Sequence, residues 1–524
     1  MKQPRSFGLV ALAATALLSC KGGGREVSLS KKSLEADADP GTFTYMEVAE
    51  SDKRLLAKVP GVRVFTRPSK SSPPVGTLDP RSSVARSDKT VRPTDQCEGG
   101  YFAVRPRGFV CSDDTVDPTA GPAAGREGAA DAALPYRYGV VRSVTPLYAR
   151  APSAEEQTAN EPDLAKHLAK VAKLTPKSLG VGANDVPVDE RGVATGVATL
   201  GKSSVGKDDQ GKRTSTSYLR GTPLPSAPAR PDRAAAPLVT KTLRKGSGVA
   251  IVASVELPGP QGPRTFGVTP DDDLVPLDRL DAILASTWHG VDLTKEKGLP
   301  VGFVLRHEVA PYALGKGKAE RLEDDEVERR SHVHLTGRFR TVENVRYEET
   351  DEGVWFRDRD LIKVIKRNKF PEFVVDGAKW IDVSIALQTL TLYEGKKPIY
   401  TTLTSTGRDV LGPKDVPFDP SMAVTQQGTF TISTKALTTT LDPREVSDAF
   451  EVTHAPWALG FAPGTSIVGS YHSDASGEAK QFHNVALTPI DARRVFLWAG
   501  PELPRGFSEI ALTKEESVIV HVRK

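Results

Sequence analysis

The chain has 524 residues, enough for three or four compact cores of about 100 to 200 residues each. Its 70 Lys and Arg stand against 66 Asp and Glu, and a formal charge of +4 over this length excludes the basic surface of a nucleic-acid binder. A hydrophobic share of 38% with 40 Pro and 45 Gly argues against one uniformly packed body and for folded modules joined by unfolded stretches.

Residues 1–19 have the layout of an export signal. Lys2 and Arg5 give a basic start, an uncharged and mostly apolar run follows, and small Ser19 precedes Cys20. The run is shorter than the about 20 residues that a permanent membrane helix needs. Leu17-Leu18-Ser19-Cys20 resembles the lipobox of bacterial lipoproteins, which implies cleavage before Cys20 and lipidation of its thiol. Lys21 stands where that family's inner-membrane retention signal has Asp, which implies an outer-membrane anchor facing the periplasm. The blander alternative is an ordinary signal peptide or a buried Cys20. Residues 20–45, polar and glycine-led, are expected to be a tether.

Residues 46–115 carry short alternating runs punctuated by Pro and Gly. Val62-Arg63-Val64-Phe65, Val75-Gly76-Thr77-Leu78, Gly100-Tyr101-Phe102-Ala103-Val104 and Gly108-Phe109-Val110 read as strands of a small β-barrel. The pattern resembles a bacterial SH3-like module, a type that usually binds cell-wall polymer or peptide. Cys97 and Cys111 flank the closing strands, and in an exported protein such a pair is most simply a disulfide. A metal or redox pair is the alternative, but there is no Cys-x-x-Cys and no nearby His.

Residues 116–135 read as an Ala/Gly/Pro linker, 136–175 as a mixed segment ending in a helix, and 176–236 as disordered. A β-rich middle region spans 237–370, interrupted by a charged run at 316–330 of mixed sign, expected to be a solvated helix or loop. His332 and His334 share one strand face and could ligate Zn²⁺, yet an alternating polar face is the more frequent cause of such a pair; no metal or cofactor is assigned.

In residues 378–523, three runs, Lys379 to Ser384, Gln388 to Gly395 and Tyr400 to Gly407, form a predicted meander. Gln427-Gly428-Thr429-Phe430 begins another strand, and a helix follows Pro489. The order of Ser405-Thr406-Gly407, Thr-x-x-Gly-x-Phe and Leu487-Thr488-Pro489-x-Asp491-Ala492 resembles the YkuD-type L,D-transpeptidase domain. The resemblance implies peptidoglycan chemistry: a cysteine thiolate attacks a stem-peptide carbonyl, a His takes the thiol proton, and backbone N–H groups hold the oxyanion.

The pattern fails at the reacting group. The family's His-Gly element is Val468-Gly469 here, and Gln481-Phe482-His483-Asn484 stands for Ser-His-Gly-Cys, so Asn484 takes the place of the nucleophile. A one-residue shift would align His483 with the family His, but no cysteine occurs after Cys111 in either register. An asparagine amide is no nucleophile at neutral pH, because its nitrogen lone pair is delocalised into the carbonyl. Gln426 also replaces a usual proline. His472, Ser473, Asp474 and Ser476 supply the residue types of a hydrolytic set, but adjacent loop residues rarely hold such geometry. Trp457, Tyr471, His472 and His483 are the groove candidates, with His454, Trp457 and Tyr471 better explained as pocket walls or core.

The expected fold is therefore mainly β and multidomain: a C-terminal L,D-transpeptidase-like β-sandwich with short helices, an N-terminal SH3-like barrel and disordered linkers. The expected function is that of a catalytically silent envelope lipoprotein that binds peptidoglycan stem peptides or an enzyme acting on them. An active transpeptidase or hydrolase with an unconventional nucleophile or metal, and a purely structural lipoprotein, are the alternatives.

Overall fold

A computed structural model describes residues 53–93, 95–121, 133–171, 205–207, 213–215, 236–282, 286, 288–323, 326–409, 419–441, 451–473 and 475–524. The signal segment, Cys20, the tether, Asp474 and most of 116–135 and 176–236 lie outside the described residues. The protein is mainly β, with several sheets and few short helices. Among the described residues, no helix is long and apolar enough to cross a membrane.

The first module has strands β1 (Arg54–Ala57), β2 (Arg63–Phe65), β3 (Pro74–Leu78), β4 (Ser83–Ala85), β5 (Tyr101–Ala103), β6 (Phe109–Cys111) and β7 (Val116–Asp117). Strands β4, β1 and β7 form one sheet, while β3, β2, β6 and β5 run side by side in another. Cys97 and Cys111 are disulfide-bonded and pack with Phe65, Tyr101 and Phe109.

The second module begins with β8 (Arg137–Val141) and β9 (Thr145–Tyr148), then helices α1 (Ala154–Asn160) and α2 (Leu164–Val171). Ser153 starts α1 with a capping box: its hydroxyl accepts from the Glu156 N–H while the Glu156 carboxylate accepts from the Ser153 N–H. A hairpin of β10 (Val205–Lys207) and β11 (Arg213–Ser215) lies within the stretch expected to be disordered. Strands β12 (Val239–Leu243), β13 (Gly248–Ile251), β14 (Ala253–Gly259), β15 (Gly262–Val268), β16 (Leu274–Pro276) and β17 (Leu280–Ala282) complete the module, with one 3-10 turn between the last two. The helices are fastened by a buried ionic network. Arg264 donates to both Glu161 and Asp278, and Arg279 donates to Glu161 and to the carbonyl of Pro162.

After β18 (Val291–Asp292), a third module holds β19 (Val301–Val304), β20 (Tyr312–Leu314), β21 (Ala319–Arg321), β22 (His332–Val342), β23 (Val345–Thr350), β24 (Trp355–Arg357) and β25 (Leu361–Val364) in one sheet. It closes as the second does: Trp355-Phe-Arg and Leu361-Ile-Lys-Val flank a single 3-10 turn, matching Leu274-Val-Pro and Leu280-Asp-Ala. The charged run expected as a helix or loop instead includes edge strand β21, which pairs with β20. A short charged strand at a sheet edge resists further pairing, which suits this composition.

The terminal domain has β26 (Lys379–Ser384), β27 (Thr389–Glu394), β28 (Lys397–Leu403), β29 (Gly428–Thr431), β30 (Thr434–Thr439), β31 (Ala455–Ala462), β32 (Thr465–Gly469), β33 (Val485–Leu487), α3 (Pro489–Trp498), β34 (Phe507–Ala511) and β35 (Ile519–Arg523). Its sheets run β18-β28-β27-β26-β35-β29 and β33-β32-β31-β30-β34. Between them lies one core containing Ile381, Leu390, Leu459, Ile467, Val495 and Val520.

The second sheet does not stop at the domain. β34 continues antiparallel into β3 of the first module, with Gly76 opposite Ile510 and Thr77 opposite Glu509, and Leu55, Val64 and Val75 join the same core. Module and domain are thus one sandwich, where the composition suggested separate units. Gly76 permits the pairing, since a Cβ there would lie 2.4 Å from the Glu509 carbonyl oxygen.

Candidate functional site

Strands β32 and β33 run parallel, with Val468 beside Ala486 and Gly469 beside Leu487. Residues 470–484 loop between their ends, and this is where the sequence pattern places the reacting groups. The loop is stitched to the end of β28. Ser405 and Ala486 exchange backbone hydrogen bonds of 2.9 and 2.8 Å, the Gln481 N–H donates to the Thr406 carbonyl, and the Gln481 side-chain amide donates to the Ser405 hydroxyl at 3.1 Å.

Asn484 is buried, and its Oδ1 accepts the Ser466 backbone N–H at 2.7 Å. This side chain therefore ties β32 to the loop. Next to it, His483 donates from Nε2 to the Met422 carbonyl at 2.9 Å, which places the ring's proton on that nitrogen. Phe482, in the family's His position, is buried with its ring 4.2 Å from that of His483.

His472 is 2% exposed, and burial alone pushes its imidazole pKa down to about 3. Its Nδ1 has no hydrogen-bond partner among the described residues. The Ser470 hydroxyl donates to the Ser473 carbonyl and accepts the Ser473 N–H, closing a local turn. Ser476 is buried, and Asp474 is outside the described residues. No hydrogen bond joins His472 to a serine among the described residues, so the geometry assembles no Ser-His pair there.

Trp457, Tyr471, His472 and His483 are all buried, and the second module covers part of this face. Tyr138 and Ala250 pack with Val468 and Tyr471 in one apolar cluster, and the Tyr138 and Tyr471 rings are 4.1 Å apart. The Tyr138 hydroxyl donates to the His454 carbonyl, the Trp457 indole N–H to the Ala133 carbonyl, and the Tyr471 hydroxyl to the Thr453 carbonyl. His454 and Trp457 hold φ of 54° and 59°, a left-handed conformation that costs non-glycine residues on the order of 1–3 kcal/mol and persists because these contacts fix it. The seam is close enough to require Gly248, where a Cβ would meet Tyr471 Oη at 2.5 Å. Sequence reading had no signal for this cover, since its residues come from a module more than 200 positions away.

Asp491 is the remaining family-pattern residue with a defined environment. Burial pushes its carboxyl up, opposed by hydrogen bonds from Thr402, Tyr400 and the Gly290 N–H. It thereby fastens α3 to β28 and to the entry of β18.

No family model matches the chain, and no curated protein does. Similar solved structures are L,D-transpeptidases. One is a cysteine-to-serine mutant from Enterococcus faecium (14% identity, 30% of this chain and 55% of that one, TM-score 0.21). Another is from Xylanimonas cellulosilytica (16%, 30% and 65%, 0.20) and a third from Mycobacterium smegmatis (14%, 36% and 77%, 0.21). The chain thus spans less than two thirds of the length of the first two. At such TM-scores the likeness carries no argument about activity, which rests on the residues themselves.

Proposed function

We propose that this protein is a catalytically silent envelope lipoprotein, exported, anchored through Cys20 to the outer membrane and facing the periplasm. Its transpeptidase-like domain serves as the rigid core of a peptidoglycan-directed or regulatory assembly. The observation that carries this reading is the use of Asn484: the residue in the nucleophile's place holds the Ser466 N–H, with Phe482 and a proton-bearing His483 nitrogen beside it. The burial of Tyr471 against Tyr138 and Ala250 of the second module favours contact with the wall through the module surfaces.

The test incubates the full chain, its Asn484→Cys variant and defined tetrapeptide muropeptides, reading D-alanine release by mass spectrometry and co-sedimentation with isolated sacculi. Neither protein is expected to release D-alanine, because Phe482 stands where the resemblance puts the family's histidine and residue 484 is buried. Release by the natural chain would overturn silence, and release by the variant alone would overturn the covered-centre reading. Failure to sediment with sacculi would leave a structural lipoprotein as the function.

A further inference from the structure

His332 and His334 alternate with Val333 on β22 and so project from the same face of the sheet. The structure brings a third group to them from a distant element. Glu296 follows β18, where its N–H is held by the Asp292 carbonyl at 3.0 Å, and its Oε2 lies 3.0 Å from His332 Nε2 and 3.2 Å from His334 Nε2. All three ligand atoms fall within 4.8 Å of one another.

We propose that Glu296, His332 and His334 form a binding site for a zinc-class divalent cation. Ligand bonds of about 2.0–2.1 Å in a tetrahedral site put ligand atoms roughly 3.3 Å apart, so these oxygen–nitrogen separations already approximate two edges of a zinc tetrahedron. Two neutral imidazoles and one carboxylate suit Zn²⁺ and Co²⁺, whereas Mg²⁺ and Ca²⁺ prefer oxygen donors alone. Nδ1 of His334 is buried with no hydrogen-bond partner among the described residues, so Nε2 is the nitrogen that ring presents. The nearby cation Lys297 is engaged by Asp351.

The side chains of His332 and Glu296 are 34% and 39% exposed, so the cation can enter from solvent and keep an exchangeable fourth ligand. Its position gives it an architectural role. β18 pairs with β28 of the terminal domain, β22 belongs to the third module, and the cation would clasp the crossover between them.

The experiment strips the full chain with chelator and titrates it with Co²⁺, reading ligand-field absorption, then competes with Zn²⁺. The expected result is one Co²⁺ per chain with four-coordinate band intensity, displaced by Zn²⁺. Affinity should fall by at least about tenfold in His332→Ala, His334→Ala and the near-isosteric Glu296→Gln. Zn²⁺ should also slow amide exchange in residues 292–304 of the natural chain but not of Glu296→Gln. Unchanged Co²⁺ affinity in all three variants, or no saturable binding by the natural chain, overturns the proposal. Because neither readout involves peptidoglycan, the outcome is independent of the proposed function.

Discussion

Lowering the pH should selectively weaken the seam around His472. Its imidazole is buried without a charged partner and titrates near 3, whereas an unfolded histidine titrates near about 6.5. The folded chain refuses a proton that the unfolded chain accepts. The stability tied to neutral His472 is thus complete well above about 6.5 and is lost progressively as pH falls from there toward 3. Each pH unit inside that window costs about 1.4 kcal/mol, so moving from about pH 7 to about pH 5 removes about 2 kcal/mol. That figure holds for any folded pKa below about 4. The assay compares urea unfolding of the natural chain and His472→Gln at both pH values, where the variant should lose about 2 kcal/mol less. Proton NMR supplies the direct check: the imidazole signal missing from the variant should not titrate down to about pH 4. A midpoint between 6 and 7 for that signal, or equal losses in the two proteins, would refute the reasoning.

Gly248→Ala should drive its Cβ into Tyr471 and cost about 1–3 kcal/mol, read as faster proteolysis between the second module and the terminal domain; adding Tyr471→Leu should recover part of it. Arg264→Met leaves Glu161 and Asp278 without their shared buried partner and should cost about 3–5 kcal/mol in urea unfolding. Reducing the Cys97–Cys111 bridge, or replacing both residues with Ser, should destabilise the first module by about 3 kcal/mol, measured as a lower melting temperature.

The terminal domain was readable because its signals are local. Alternation in Lys379–Ser384 and Thr389–Glu394 and the Pro489 helix start depend on neighbours within a few residues. The paired cysteines were readable for the same reason. Helix α1 carries a local mark, Ser153-x-x-Glu156, but only a slight apolar face. The matching ends of the second and third modules, Leu274-Val-Pro-Leu-Asp-Arg-Leu and Trp355-Phe-Arg-Asp-Arg-Asp-Leu, agree only in their last leucine, so their likeness shows in the fold and not in the letters. Other features are joined only by folding. Glu296 meets two histidines some 36 and 38 positions away, and Trp457 reaches a carbonyl 324 positions earlier. No periodicity encodes those distances, so an aromatic destined for a seam looks the same as one lining a groove.

The β3–β34 pairing has a consequence for how the protein is made. The Ser508 hydroxyl bonds to the Thr77 carbonyl across 431 positions, so β3 emerges from the ribosome long before its neighbour exists. Until then the strand is an open edge with unpaired backbone groups beside an unfinished apolar layer, the kind of surface that recruits foreign strands. A nascent chain stalled anywhere before residue 507 is therefore a target for chaperones and proteases. Completion of β34 is the event that makes the first module safe.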